Sequence, residues 1–167
     1  MKRYLLAFVL LMMPALLVAQ APQKIATINS QEIMMAMPDT KKAQAEVEKL
    51  QKEFEDALLI KREELKKKYE DYISKEKTLP ESIKLRQQQE IEDIQKRIDD
   101  LTQAAIQDIQ KKQQELMAPI QAKVLDAIKK VGNENGFAYI LEAGVTLYTG
   151  STAIDATPLV KAKLGIK

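Results

Sequence analysis

Residues 39–77 read DTKKAQAEVEKLQKEFEDALLIKREELKKKYEDYISKEK, and residues 78–131 continue TLPESIKLRQQQEIEDIQKRIDDLTQAAIQDIQKKQQELMAPIQAKVLDAIKKV. Neither stretch contains glycine or cysteine, and apolar residues recur every eleven positions. Ala43, Phe54 and Leu65 form one row, and Val47, Leu58 and Tyr69 a second. In the second stretch the rows are Ile83, Ile94, Ala105, Leu116 and Ala127, and Ile98, Ile109, Ile120 and Val131. Eleven residues over three turns is about 3.67 per turn, close to a straight α-helix, whereas a seven-residue repeat imposes a left-handed supercoil. The pattern predicts two long, nearly straight helices, each with one thin apolar stripe.

Proline and glycine divide the remainder. Asp39 and Thr40 are N-cap candidates for the first helix, expected over 39–77. Thr78 and Glu81 match a capping box, with Pro80 in the first turn of the second helix. The short link predicts an antiparallel hairpin. Pro119 lacks the N–H that would bond Glu115, so a kink or break is expected there, leaving two arm helices of equal length.

Outside the arm, Lys24–Asn29 reads as a strand and Ile33, Met34, Met35 and Met37 as a short helix, whose methionines either pack into a core, the commoner use, or line an adaptable binding surface. All five glycines lie between Gly132 and Gly165. Among them, Phe137–Leu141 reads as a buried strand and Thr146–Thr149 as a second, joined through Gly144 as a hairpin. Asp155–Pro158 then opens a last amphipathic helix containing Leu159, Val160 and Leu164. The expected fold is α+β and mostly α: a helical hairpin arm, residues 39–118, projecting from a small β-sheet body, residues 20–38 plus 119–167. So small a body with open strand edges favours oligomerisation.

Residues 1–19 read as a cleaved secretory signal. Lys2 and Arg3 precede the apolar run Tyr4–Val18, and Ala19 supplies a small residue at the cut. The run is shorter than the roughly 20 residues that span a bilayer. Removing Lys2 and Arg3 leaves 24 basic and 24 acidic residues, which gives no basic excess for nucleic acid. An exported chain without cysteine has no disulfide framework. Without histidine or cysteine, no nucleophile–base pair or customary metal site suggests itself, and no glycine-rich loop offers to hold ATP. No catalytic residue, cofactor or metal is expected.

Two surfaces of the arm stand out. Leu59, Ile60, Tyr72, Ile73, Leu79 and Leu85, with Ile106, are apolar but lie off the stripe. They are candidates either for local packing or for an exposed client-binding surface. The tip carries Lys66, Lys67, Lys68, Lys75, Lys77, Lys84 and Arg86. That cluster is either an ordinary solvated tip or an attraction for acidic clients and anionic lipid headgroups. Acid-first i,i+4 pairs such as Glu48–Lys52, Glu63–Lys67, Glu64–Lys68, Glu92–Lys96, Asp93–Arg97 and Asp108–Lys112 read as helix-stabilising surface pairs.

A leader, the strand KIATINSQEI, a long hairpin, then PIQAKVLDAIKKVGNENGFAYILEAG and LYTGS before DATPLVKAKL together resemble the Skp/OmpH family of periplasmic chaperones. The closing segment carries the specific part: Pro119–Ile120, Ala127–Ile128, Val131, Gly136–Phe137 and Asp155. The resemblance implies a periplasmic homotrimer with a shared β-barrel body, whose arms enclose a cavity. It implies that unfolded outer-membrane proteins are held there without ATP. Family members are strongly basic, whereas this mature chain is neutral, so long-range steering of a client is expected to be modest. The competing class is a non-catalytic structural coiled-coil or adaptor protein of the envelope.

Overall fold

The computed structural model describes residues 23–166. The expected signal, residues 1–19, lies outside them. In chain order the elements are β1 (Lys24–Ile28), α1 (Ser30–Ala36), α2 (Pro38–Lys75), α3 (Glu81–Asn135), β2 (Phe137–Glu142), β3 (Ile154–Asp155) and α4 (Thr157–Lys163). The chain divides into two compact units, one spanning Met34–Lys123 and the other formed by the segments up to Ile33 and from Val124.

The helix ends differ from the sequence reading for local reasons. Helix α2 starts at Pro38, with Met37 as an extended N-cap. A residue before proline is pushed out of the α region, and proline itself suits the first helical position. Asp39 and Thr40 therefore fall inside the first turn rather than capping it. The expected capping box does not form either. The Thr78 hydroxyl donates to the Lys75 carbonyl at 2.9 Å, and Pro80 becomes the residue before the helix, its carbonyl accepting from Ile83 and Lys84.

Pro119 does not break α3, which runs unbroken for 55 residues. The helices are thus unequal, 38 against 55 residues. An interior proline costs about 3 kcal/mol. Ile120, Val124, Ala127 and Val131 lie beyond it on one helical face, each at most 4 % exposed. At about 1.5–3 kcal/mol per large buried aliphatic side chain, that face outweighs the proline. The helix stops at Gly136, which takes the left-handed φ of 66° that suits glycine.

The sheet also departs from expectation. Its order is β2-β1-β3 and both pairings are parallel. The third strand is Ile154–Asp155, and Thr146–Thr149 forms no strand. The expected hairpin through Gly144 fails because that segment satisfies itself locally. The Val145 amide donates to the Glu142 carbonyl at 3.1 Å, and the Thr146 hydroxyl donates to the Ala143 carbonyl at 3.0 Å. Such local bonds compete with a ladder. The sheet is open, not closed into a barrel within one chain.

One sheet face is well covered. Ala26 and Ile28 are buried, as are Ile33, Ala156 and Val160. Polar contacts fasten the strand ends. The Ser30 amide donates to the Glu142 carboxylate at 3.0 Å, the Asn29 amide to Thr157 Oγ1 at 3.0 Å, and the Ala156 amide to the Thr27 carbonyl at 2.8 Å. Lys161 pairs with Glu32 at 2.5 Å, and Lys163 with Glu134. The other face is bare. Phe137–Leu141 is a strand as expected but not a buried one, since Ile25, Tyr139 and Leu141 remain exposed. The three methionines divide as well: Met37 is buried, Met34 half-buried and Met35 exposed.

In the Met34–Lys123 unit, α2 and α3 pair antiparallel in a nearly constant register. Asp39 faces Lys123, Glu46 faces Lys112, Lys68 faces Glu90, and Tyr72 faces Gln88. Eleven residues at about 100° each overshoot three turns by about 20°. Taking Ala43 as zero, Tyr69 sits about 80° away, whereas Tyr72 returns to about 20°. The structure follows that arithmetic. Tyr69 is exposed and Tyr72 is 6 % exposed, its hydroxyl accepting from Gln88 Nε2 at 2.7 Å.

Ile33→Ala should cost about 2–5 kcal/mol, because Ile33 is fully buried. Met35→Ala, at an exposed site on the same helix, should stay within about 0.5 kcal/mol. Urea unfolding of the two variants checks the contrast, and equal losses would contradict this packing.

Candidate functional site

Among the described residues, no group of three or more Asp or Glu side chains is placed to hold a metal ion, and no helix is long and apolar enough to cross a membrane. The surface features that remain are apolar side chains and charges on the hairpin.

Leu59, Ile60, Ile73 and Leu85 are 50–66 % exposed, and Ile106 is exposed too. Leu79 is half-buried. Tyr72 is the correction in this set: it belongs to the stripe between the helices and offers nothing to a partner. Tyr69 takes its place outside. On α2, Leu59, Ile73 and Tyr69 fall within an arc of about 80°, so they form one apolar strip, with Ile60 on a different side. The signal that finds Tyr69 is the 20° drift of an eleven-residue repeat. Two packed helices bury only their facing stripe, so these off-stripe side chains have nothing of their own unit to cover them.

The basic tip is largely neutralised by its own chain. Lys68 bonds Glu90 at 2.9 Å, and Arg86 shares that carboxylate at 3.3 Å. Lys75 pairs with Asp71 at 2.5 Å, Lys84 with Glu81 at 3.5 Å, and Lys66 with Glu70 at 3.9 Å. Of the seven tip cations, only Lys67 and Lys77 make no ion pair among the described residues. The pairing itself differs from the i,i+4 expectation. Lys68 and Lys112 reach across the hairpin to Glu90 and Glu46, leaving Glu64 and Asp108, and Glu64 pairs with Lys61 instead. Facing-helix partners are invisible to spacing within one helix.

Three carboxylates are held below their ordinary range by these contacts. Hydrogen bonding and charge from Lys68 act on Glu90, from Lys123 on Asp39, and from Lys61 on Glu64. A depressed carboxylate stabilises the fold above its unfolded pKa, and that contribution disappears as pH falls through its folded value. All three sites are solvent-exposed, so each effect is small. Thermal melts followed by helical circular dichroism should be flat from neutral pH down to the carboxylate range and fall below it. Glu90→Gln should flatten that fall. A melting temperature that rises on acidification would contradict these assignments.

A family model described as outer membrane protein (OmpH-like) matches residues 24–164. The chain belongs to the OmpH-like family. A comparison of this OmpH-like chain with curated proteins gives no match. Among solved structures it is similar to a crystal structure of a proposed outer membrane chaperone (OmpH-like) from Caulobacter crescentus CB15. The TM-score is 0.74 at 14 % identity, over 87 % of this chain and 86 % of that one. At that identity the likeness concerns the fold. The OmpH-like match covers both the hairpin and the strands that flank it in sequence.

Proposed function

We propose that this OmpH-like protein is an ATP-independent holdase of the periplasm that binds unfolded outer-membrane proteins and prevents their aggregation. The observation that carries the reading is the exposure of large apolar side chains on a two-helix hairpin: the strip of Leu59, Tyr69 and Ile73 on α2, with Ile60 on another side of that helix and Leu85 on α3. Large apolar side chains left exposed together on a surface mark an interaction site. A client without fixed structure needs dispersed weak contacts rather than a shaped pocket. Several hairpins in one homo-oligomer, a trimer by family resemblance, would enclose the client in a cavity and raise affinity through effective concentration. The self-paired tip charges favour apolar capture over electrostatic capture, and among the described residues leave Lys67 and Lys77 as the two tip cations without an ion pair, open to acidic clients or anionic lipid headgroups.

Dilution of a urea-unfolded outer-membrane β-barrel into buffer with the mature protein tests this, with light scattering and the mass of the complex as readouts. Suppressed aggregation and a defined complex are expected without ATP. No effect on aggregation would leave the structural-adaptor class. Replacing Leu59, Ile60, Ile73 and Leu85 together by serine should weaken client binding at least tenfold while the oligomer persists. Raising salt from low to physiological strength should weaken it only a few-fold, because contacts between exposed charges are screened beyond about 8 Å whereas apolar contacts are not. Neutralising Lys66, Lys67, Lys68, Lys75 and Lys77 should mainly slow association. If that lysine set abolishes binding and the serine set leaves it unchanged, the capture mechanism is electrostatic.

A further inference from the structure

The chain contains Asn29, Asn133 and Asn135, and of these only Asn135 is followed by glycine. That pair forms the joint between α3 and β2. Asn135 is the last residue of the helix, and Gly136 alone separates it from the strand. Gly136 has a φ of 66°, which a side chain would strain. A Cβ there would meet no atom within 4 Å, so conformation rather than crowding selects glycine. An asparagine carboxamide is open to attack by the backbone nitrogen of the next residue, and glycine shields that nitrogen least. The helix stop therefore requires glycine at the position where it leaves Asn135 most reactive. In the folded chain the attack is held off. Asn135 Nδ2 donates to the Val131 carbonyl at 2.8 Å, which ties the carboxamide to the preceding turn. The Asn135 backbone is helical, whereas ring closure needs it to rotate so that the Gly136 nitrogen reaches Cγ. Both flanks are anchored: Val131 is buried, and Phe137 is paired with Lys24.

We infer that Asn135–Gly136 is a site of spontaneous deamidation gated by folding: it reacts when the α3–β2 joint opens and is protected while the joint is packed. The Gly136 nitrogen, having given its proton to solvent, bonds to Asn135 Cγ. The Cγ–Nδ2 bond breaks, and Nδ2 takes up a proton and leaves as ammonia, closing a succinimide ring. Water then adds to one of the two ring carbonyl carbons, and the bond from that carbon to the ring nitrogen breaks. Opening at Cγ gives aspartate. Opening at the main-chain carbon gives isoaspartate, whose backbone runs through the former side chain and is one methylene longer. Either product places a carboxylate at the C-terminal end of α3, where the helix dipole disfavours negative charge. Isoaspartate also lengthens the link immediately before Phe137, where β2 enters its register with Lys24 and Ile25. A chain that lingers unfolded is thereby marked covalently and loses the joint on which the sheet depends.

The test incubates the mature protein at neutral pH across a guanidinium chloride series. Peptide mapping by mass spectrometry follows amide-to-acid conversion at each asparagine, and circular dichroism gives the unfolded fraction of the same samples. In the unfolded chain, conversion at Asn135 should exceed that at Asn29 and Asn133 at least tenfold. In native buffer it should fall at least tenfold, and between these limits its rate should follow the unfolded fraction. Equal rates at the three asparagines in the unfolded chain, or a rate at Asn135 indifferent to folding, overturns the inference. Asn135→Gln supplies the second readout, because its longer side chain closes a ring far more slowly. Parent and variant are held unfolded until Asn135 of the parent is mostly converted, then diluted to refold. Hydrogen exchange should show Tyr139–Leu141 protected in the refolded variant and unprotected in the converted parent. Equal protection in the two would overturn the claim that the sheet depends on this joint.

Discussion

Parallel pairing of β1 with β2 is the constraint on which the rest of the chain depends. Ile25 to Ile28 run beside Tyr139 to Glu142, and the Ala143 amide extends the ladder to the Ile28 carbonyl. Parallel strands cannot be joined by a tight turn, so the chain must make a crossover between them. Here the crossover is the whole stretch from Asn29 to Gly136. A helical hairpin is suited to that place because it returns the chain toward its starting point. Its length is therefore not limited by the sheet. The order of the sheet, with β1 central, follows from the same pairing, since β3 takes the edge of β1 that β2 leaves open.

The hairpin is built with the least core that two helices permit. One stripe of apolar residues faces inward, and cross-helix contacts from Asp39–Lys123 to Tyr72–Gln88 hold the register. Nothing in that unit forms a third layer. Apolar residues placed off the stripe are consequently exposed, and charges placed near the tip find acids on their own chain. The result is a long element with large apolar side chains in solvent and most of its tip cations paired to acids of its own chain. That combination is what the proposed holdase reading rests on, since a partner lacking a fixed surface is held by many weak contacts rather than one precise one.

Much of this was legible beforehand. The eleven-residue rows, the missing glycines and the proline at 80 marked the hairpin. The strands Lys24–Ile28 and Phe137–Glu142 and the final helix stood where the apolar runs predicted. Errors arose where the deciding partner was remote. Tyr72 and Tyr69 exchanged roles because a 20° drift accumulates over successive repeats. Lys68 and Lys112 left their expected i,i+4 acids because a facing helix offered better ones. Pro119 stayed inside a helix because the apolar face beyond it is buried.

The sequence by itself determined the two long helices, their hairpin, the strands Lys24–Ile28 and Phe137–Glu142 and the lack of histidine and cysteine, because these depend on local periodicity, local backbone chemistry and residue inventory. Only the tertiary structure decided that the sheet is parallel, that Ile154–Asp155 rather than Thr146–Thr149 completes it, and that one sheet face is bare. Strand direction and face exposure are set by which distant segments meet, and no pattern within a single segment encodes its neighbour.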